Sequence, residues 1–306
     1  MKKVAICVIL NVIILGFLAL TTDFMCYKIQ VKQDYSGWAI YTKFSDAYTF
    51  SPIKNFINKY NEFYENKKPN NWFRPDEIKK NKKKEIVLFG CSFTYGVGLK
   101  ENETFSRKLS KYTNRSVYNR GIPGCGTNHM LYMVEKGLSS NIKNPEYFIY
   151  TYIAGHIYRL YMPASFFHNL LIYYKEKDNK LILQNDWDNW HWHSYTLRTL
   201  NEQLEYAEKI HSHDKKIQFL LKHLNRTQEE INKKYPESKF VVLAYSGEED
   251  IKAIEKELTE NKIKIIYLSD LSSEDFTKKP YALEDGHPSA LAWDIIIPQL
   301  TKKLSL

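Results

Sequence analysis

The chain has 306 residues, enough for one large domain or two small ones, and 43% of them are hydrophobic, ample for a packed core. Its formal charge of +9 comes from 44 Lys+Arg against 35 Asp+Glu, and much of that excess is local, in "IKK" and "NKKKE" around residues 79 to 85. No arginine-rich arm or regular basic stripe is present, which argues against a nucleic-acid partner and for a solvated basic surface, or one near an anionic membrane or glycan.

At the N-terminus "MKK" precedes an apolar stretch from Val4 to Leu20, interrupted only by Asn11. That length is at the short end of what crosses a bilayer as a helix. No A-x-A cleavage pattern follows, so residues 1–22 are read as a retained signal anchor rather than a cleaved signal peptide. Lys2 and Lys3 keep the N-terminus in the cytoplasm and send the rest of the chain outward, against the smaller opposing weight of Lys28 and Lys32. The expected location is therefore the cell membrane, single-pass, with the folded domain extracytoplasmic. Residues 23–84 read as a membrane-proximal segment with short helices, "SPIKNFINKYNEFYEN" above all, and residues 85–306 as one α/β domain.

Within that domain "EIVLFG" (85–90) has the length and flanks of a buried strand. "ETFSRKLSKYT" predicts a helix, "SVYNRG" a strand, "TNHMLYMVEKGLSSN" a helix and "YFIYTYIAG" an apolar strand. A long polar and aromatic passage follows, then a helix from Thr196 to Lys234 with a break near "HSHD". "KFVVLAYSG" is a strand, "EEDIKAIEKELTEN" a helix and "KIKIIYLSD" another strand. The last helix starts after Ser289, its N-cap, and Pro298 should kink or end it. Strands alternating with helices predict a parallel sheet covered on both faces, with ligands beyond the carboxyl ends of its strands. Gly90–Ser92 and Gly155–His156 both fall at such ends.

The candidate chemistry begins with "GCSFTYGVGL". Ser92 follows a strand, and a serine nucleophile needs a base and a group that orients the base. "EDGHPS" supplies both: Asp285 stands two residues before His287, in a turn held by Gly286 and Pro288. The order Ser, Asp, His matches α/β-hydrolases, but Thr94 stands where their G-x-S-x-G elbow has its second glycine. "GVG" at 96–98 lacks the lysine and the spacing of a phosphate loop. The four cysteines, at 7, 26, 91 and 125, form no CxxC or Cys/His cluster, so a structural zinc site is not expected. Cys91 and Cys125 read as buried thiols, with a disulfide between them as the alternative.

Taken together, "GCSFTYGVGL", "NRGIPGCGTNHML" and "DGHPS" resemble the SGNH, or GDSL-like, esterase and lipase superfamily, from about residue 85 to the C-terminus. The resemblance implies a three-layer α/β/α sandwich with a parallel sheet of about five strands. It implies Ser92 as nucleophile, Asp285 and His287 as the base pair, and the N–H groups of Ser92 and Gly124 as oxyanion donors. It implies no metal or organic cofactor. Two positions depart from the family pattern: Cys91 replaces the usual aspartate before the serine, and "YTYIAGHIYRLY" lacks the third-block asparagine that donates to the oxyanion. His156 is nearest to that place and is a candidate donor, the alternative being that it satisfies a neighbouring carbonyl or carboxylate. Arg159, one turn later, is a candidate for substrate binding or for the same role. Asn128 and His129 read as helix surface or loop contacts.

In "LQNDWDNWHWHSY", Trp187, Trp190 and Trp192 read either as a plug under a long loop or as a sugar-binding lip. "EKIHSHDKK" reads as solvated helix surface. The expected function is a membrane-anchored serine esterase that removes a small acyl group, acetyl above all, from a cell-envelope or exported polysaccharide. An O-acyltransferase using the same triad, served by a membrane-bound partner, is the second reading, and a catalytically silent glycan-binding scaffold the third.

Overall fold

The computed structural model describes residues 18, 21, 84–136, 142–160, 173–184 and 212–306. The chain divides into two units, one of residues 1–68 with 185–210 and the other of residues 69–184 with 211–306. In the first unit the described residues are Leu18 and Thr21, both helical, with the Thr21 hydroxyl donating to the Leu18 carbonyl at 2.9 Å. The second unit holds everything that follows. Apart from Leu18 and Thr21, the expected anchor lies outside the described residues, as do the helix of residues 51–66 and the three tryptophans. Among the described residues, no helix is long and apolar enough to cross a membrane.

Among its described residues the second unit has seven strands: β1 (Glu85–Gly90), β2 (Ser116–Gly121), β3 (Pro145–Tyr152), β4 (Tyr173–Lys177), β5 (Lys180–Gln184), β6 (Lys239–Ala244) and β7 (Lys264–Tyr267). Five of them form one sheet in the order β2-β1-β3-β6-β7, and every neighbouring pair is parallel. The five-stranded parallel sheet is the one the alternation predicts. Strands β1, β2 and β3 are buried along nearly their whole length, which is why β1 and β3 read as mostly apolar runs rather than as alternating ones, whereas β2, "SVYNRG", buries polar Asn119 and Arg120 as well.

The helices are α1 (Ser92–Tyr95), α2 (Phe105–Thr113), α3 (Thr127–Lys136), α4 (Gly155–Arg159), α5 (His213–Lys234), α6 (Glu248–Lys252), α7 (Glu255–Glu260) and α8 (Ala290–Leu304). One face of the sheet, carrying Ile86, Leu88, Val117, Ile149, Val241 and Leu243, packs on α2 and α8. There Phe105 and Trp293 stack at 4.3 Å between ring centres. On the other face Phe89 stacks on Phe148, and Phe148 meets Tyr235 at the end of α5. Tyr150 on that face bonds Thr127 of α3, and the Lys234 ammonium of α5 donates to the Val134 and Glu135 carbonyls of α3. Helices therefore cover both faces, as a three-layer sandwich requires.

Local chemistry sets the helix starts. Thr104 caps α2, Ser212 caps α5 within the "HSHD" stretch, and Ser289 caps α8, each side chain accepting a first-turn N–H. Pro298 does not end α8, which runs on to Leu304. Trp293, Ile296, Ile297, Leu300 and Leu304 are buried on both sides of the proline, and their packing holds the helix through one missing hydrogen bond. "EEDIKAIEKELTEN" divides into α6 and α7, and the strand in "KIKIIYLSD" is β7, followed by a 3-10 turn at Leu268–Asp270.

The polar passage contains an unexpected antiparallel hairpin of β4 and β5. Asp178 and Asn179 form its two-residue turn at φ 50 and 61, the positive-φ pair of a type I′ hairpin. Tyr174 ties the hairpin to α3 by donating to Glu135, and Lys222 of α5 bonds Glu176 and Asn179.

Candidate active site

The sheet reverses its winding between β1 and β3, and a doubly wound sheet opens a crevice beyond the strand ends at such a switch point. Ser92 stands there, two residues after β1 ends at Gly90. Its helix α1 is only four residues long, and the Ser92 carbonyl accepts from the N–H groups of Gly96 and Val97 at 2.9 and 3.1 Å. As the first residue of α1, Ser92 has a main-chain N–H with no partner inside the helix. Its side chain makes no hydrogen bond to another described residue.

Two glycines let α1 sit this close to the sheet. A Cβ on Gly90 would lie 2.2 Å from the Thr94 hydroxyl oxygen, and one on Gly121 would lie 2.5 Å from the Tyr95 nitrogen. Thr94, at the position that breaks the hydrolase elbow pattern, donates to the Phe89 carbonyl at 3.2 Å. Asn119, fully buried near the end of β2, completes the clamp. Its amide donates to the Thr94 carbonyl at 2.9 Å and to Ser106 Oγ at 3.1 Å, while its carbonyl accepts the Gly121 N–H at 3.0 Å. Asn119 and Gly121 seat α1 together with Gly90, and sequence reasoning missed them; the signal available was a glycine at the end of each of two adjacent strands.

Asp285 and His287 come from the loop before α8. The Leu283 and His287 main chains bond each other, Gly286 turns at φ 81, and Ser289 N–H donates to the Tyr281 carbonyl. This places Asp285 Oδ2 2.9 Å from His287 Nδ1, near enough for an ion pair though out of line for a straight hydrogen bond. Asp285 Oδ1 also accepts the His287 main-chain N–H at 3.2 Å. Burial raises the Asp285 carboxyl, but the His287 N–H and imidazole outweigh it and hold the group below the ordinary carboxylate range. His287 is buried, whereas the Asp285 side chain is about half exposed, at 55%.

Phe93 joins the two ends of the chain. Its ring lies 5.2 Å from the His287 imidazole and 5.2 Å from Tyr245, which follows β6. The residue after the candidate nucleophile therefore packs against the candidate base. Leu283, in the loop of Asp285 and His287, stands against Gly98 in the turn after α1, where a Cβ would come within 2.7 Å of Leu283 Cδ1.

Gly124 lies in a turn tied to the end of β1: Ile122 N–H donates to the Gly90 carbonyl at 3.1 Å, and Cys125 N–H returns to the Ile122 carbonyl at 3.0 Å. Gly124 takes φ 80, which suits glycine at the third place of a type II turn and leaves its own N–H outside the turn's hydrogen bond. Helix α4 backs this turn. Arg159 Nη1 donates to the Cys125 carbonyl at 2.6 Å, and the Asn128 amide donates to the Arg159 carbonyl at 3.3 Å. Asn128 and His129 are both buried, so Asn128 is a contact between α3 and α4 rather than helix surface.

His156 is fully buried. Its Nδ1 lies 2.6 Å from the Tyr150 hydroxyl, which also bonds Thr127 Oγ1 at 2.8 Å. Burial first, then the charges of Arg159 and His129, keep the imidazole neutral, well below its ordinary pKa. Its Nε2 is buried without a hydrogen-bond partner among the described residues. His156 therefore meets a tyrosine hydroxyl through Nδ1, and not the neighbouring carbonyl or carboxylate named as its alternative partner. Cys91 and Cys125 are both free thiols, and burial pushes the Cys125 thiol up despite the opposing charge of Arg159. Among the described residues, no group of His, Cys, Asp and Glu is placed to hold a metal ion.

No family model and no curated relative matches the chain. Among solved structures it is similar to a member of the lipolytic protein G-D-S-L family from Veillonella parvula DSM 2008, at 13% identity and a TM-score of 0.46, over 72% of this chain and 98% of that one. It is also similar to the acetyl xylan esterase Est2A from the rumen bacterium Butyrivibrio proteoclasticus, at 11% identity and a TM-score of 0.45, over 72% of this chain and 63% of that one. A third is AlinE4, an SGNH-hydrolase family esterase, at 15% identity and a TM-score of 0.39, over 74% of this chain and 95% of that one.

Proposed function

We propose that the chain is a serine carboxylic-ester hydrolase with Ser92 as nucleophile, His287 as general base and Asp285 as the carboxylate that orients the base. The observation that carries this reading is the Asp285–His287 pair, whose imidazole packs against Phe93, next to a serine at the switch point of a parallel sheet. Asp285 faces His287 Nδ1, which leaves Nε2 as the atom that takes the Ser92 proton during attack on the ester carbonyl. The main-chain N–H groups of Ser92 and Gly124 hold the developing oxyanion. His287 then protonates the leaving alcohol, and a water activated by the same imidazole releases the acid from Ser92. In this reading the hydrogen bond from Ser92 Oγ to His287 Nε2 forms when the site closes on its substrate, since catalytic hydrogen bonds are often long or poorly aligned in a free site.

His156 has no part in the chemistry of this reading; its Nδ1 meets the Tyr150 hydroxyl, which in turn bonds Thr127. The substrate is an acyl ester, acetyl above all, on a cell-envelope or exported polysaccharide. This part rests on the apolar N-terminal segment and the tryptophan-rich stretch of residues 187–192, and it places the domain outside the cytoplasm on a single membrane anchor. A reporter fused after residue 306 tests that placement, and cytoplasmic reporter activity would overturn it. The activity is tested by p-nitrophenyl acetate hydrolysis with the full chain beside Ser92→Ala. Turnover that vanishes in the variant supports the reading; equal rates in both proteins contradict it.

A further inference from the structure

We propose that Arg159 is a third donor to the oxyanion, a side-chain catalytic residue working beside the N–H groups of Ser92 and Gly124. The proposal rests on the esterase reading above. Helix α4 begins three residues after β3 ends, so Arg159 belongs to the same switch point as Ser92. Its guanidinium is held in place on one side by the 2.6 Å bond from Nη1 to the Cys125 carbonyl. Cys125 directly follows Gly124, and its N–H closes the turn that presents Gly124. The cation is thus fixed to the same turn as one of the two main-chain donors.

Two glycines shape the space around it. A Cβ on Gly126 would lie 3.6 Å from Arg159 Cβ and Cδ, so the aliphatic stem runs along a bare stretch of main chain. A Cβ on Gly155 would lie 3.7 Å from Arg159 Nη2 and 4.0 Å from Cζ. The guanidinium therefore stands where a side chain growing from residue 155, at the mouth of β3, would point. Glycine at 155 leaves that place to the arginine. The positive charge is felt nearby: it counteracts part of the rise that burial imposes on the Cys125 thiol, and it helps keep His156 neutral.

The chemistry suits the position. A guanidinium carries five N–H donors in a rigid fork, so it can hold the Cys125 carbonyl with Nη1 and still direct other N–H groups elsewhere. A charged donor at a developing oxyanion is also stronger than a neutral amide. His156, the other candidate for this role, is fully buried and bonded to Tyr150. Arg159 is only partly buried.

The test measures kcat and KM for p-nitrophenyl acetate with the full-length wild type, Ser92→Ala, Arg159→Ala and the double variant Gly155→Asn/Arg159→Ala. The expected result is a ~100- to 1000-fold loss of kcat in Arg159→Ala with KM within about threefold of wild type. The double variant, which offers an amide from the place the guanidinium vacates, recovers at least about tenfold of that loss, part of the ~100- to 1000-fold weight of one oxyanion donor. If Arg159→Ala fails to fold, Arg159→Lys takes its place, with the cation kept, the fork lost and at least about a tenfold fall in kcat expected. A loss that the double variant does not restore would assign Arg159 to holding the Cys125 carbonyl alone and overturn the oxyanion role. So would a raised KM at unchanged kcat, the mark of ordinary substrate binding. Activity abolished by Ser92→Ala but intact in Arg159→Ala overturns this proposal and leaves the esterase standing. No turnover in the wild type overturns both.

Discussion

Replacing Gly121 with alanine puts a methyl group into the space of the nucleophile's own helix. The new Cβ would lie 2.5 Å from the Tyr95 nitrogen, 2.8 Å from Thr94 Cβ and 2.9 Å from the Thr94 carbonyl carbon. Two of these are backbone atoms, which cannot swing aside as a side-chain tip can. Ordinary contact begins at 3.4 Å, so α1 and the end of β2 must separate by about 0.9 Å, stretching the Asn119 bond to the Thr94 carbonyl as they do. Ser92 moves with α1, and a misplacement of about 1 Å costs on the order of 100-fold in rate. Overpacking of this kind destabilises by about 1–3 kcal/mol. The assay is p-nitrophenyl acetate turnover beside a thermal melt, with Gly126→Ala as control. At Gly126 the nearest heavy atom to an added Cβ is 3.5 Å away, so stability should change by less than about 0.5 kcal/mol. A Gly121→Ala protein that keeps wild-type kcat and melting temperature would refute the argument that α1 is seated by main-chain contact.

The remaining predictions concern the base, the buried histidine and the thiols. Asp285→Asn should lower kcat by about 100-fold, toward the mild end for an orienting carboxylate because half of this one faces water; an unchanged kcat would remove Asp285 from the triad. His223 is fully buried, and burial outweighs its bond to the Phe219 carbonyl, so its pKa falls from 6.5 to about 4. Between those two values the unfolded chain binds a proton that the folded chain refuses, so stability should fall as pH drops from 6.5 to about 4, by roughly 3 kcal/mol in total. Denaturant melts across that range should show a shallower slope in His223→Gln, and identical slopes would contradict the assignment. Cys91 and Cys125 should react with a thiol reagent only after unfolding, since both are free and buried; rapid reaction of either in the native protein would contradict their burial.

How much of this was legible in the sequence depended on how local the cause was. Most of the five parallel strands could be read because β1, β3 and β6 are buried on both faces and so appear as largely apolar runs, while β2, "SVYNRG", was placed by its position between two helical stretches. Ser289 could be read as a cap because the bond it makes spans three residues. The β4–β5 hairpin was missed although its turn, Asp178–Asn179, has the composition of a positive-φ pair; the mixed charges around it hid the alternation. The clamp on α1 is nonlocal. Asn119 touches Thr94 and Ser106, and Gly121 meets Tyr95, contacts that exist only once β1 and β2 lie side by side. The surroundings of His156 and Arg159 were also hidden, because burial of one and a carbonyl partner for the other are properties of the packed turn. Pro298 does not end α8 for the opposite reason: its local rule is real, but the buried face of α8 carries the helix past it.

The most direct test of the central claim is to treat the full-length protein with a fluorophosphonate, digest it and locate the adduct by mass spectrometry. Ser92 as nucleophile predicts a phosphonyl group on the peptide that contains "GCSFTYG", on Ser92 itself, with labelling much slower in His287→Ala. An adduct on a different serine, or ester turnover that persists while Ser92 stays unmodified, would contradict the account.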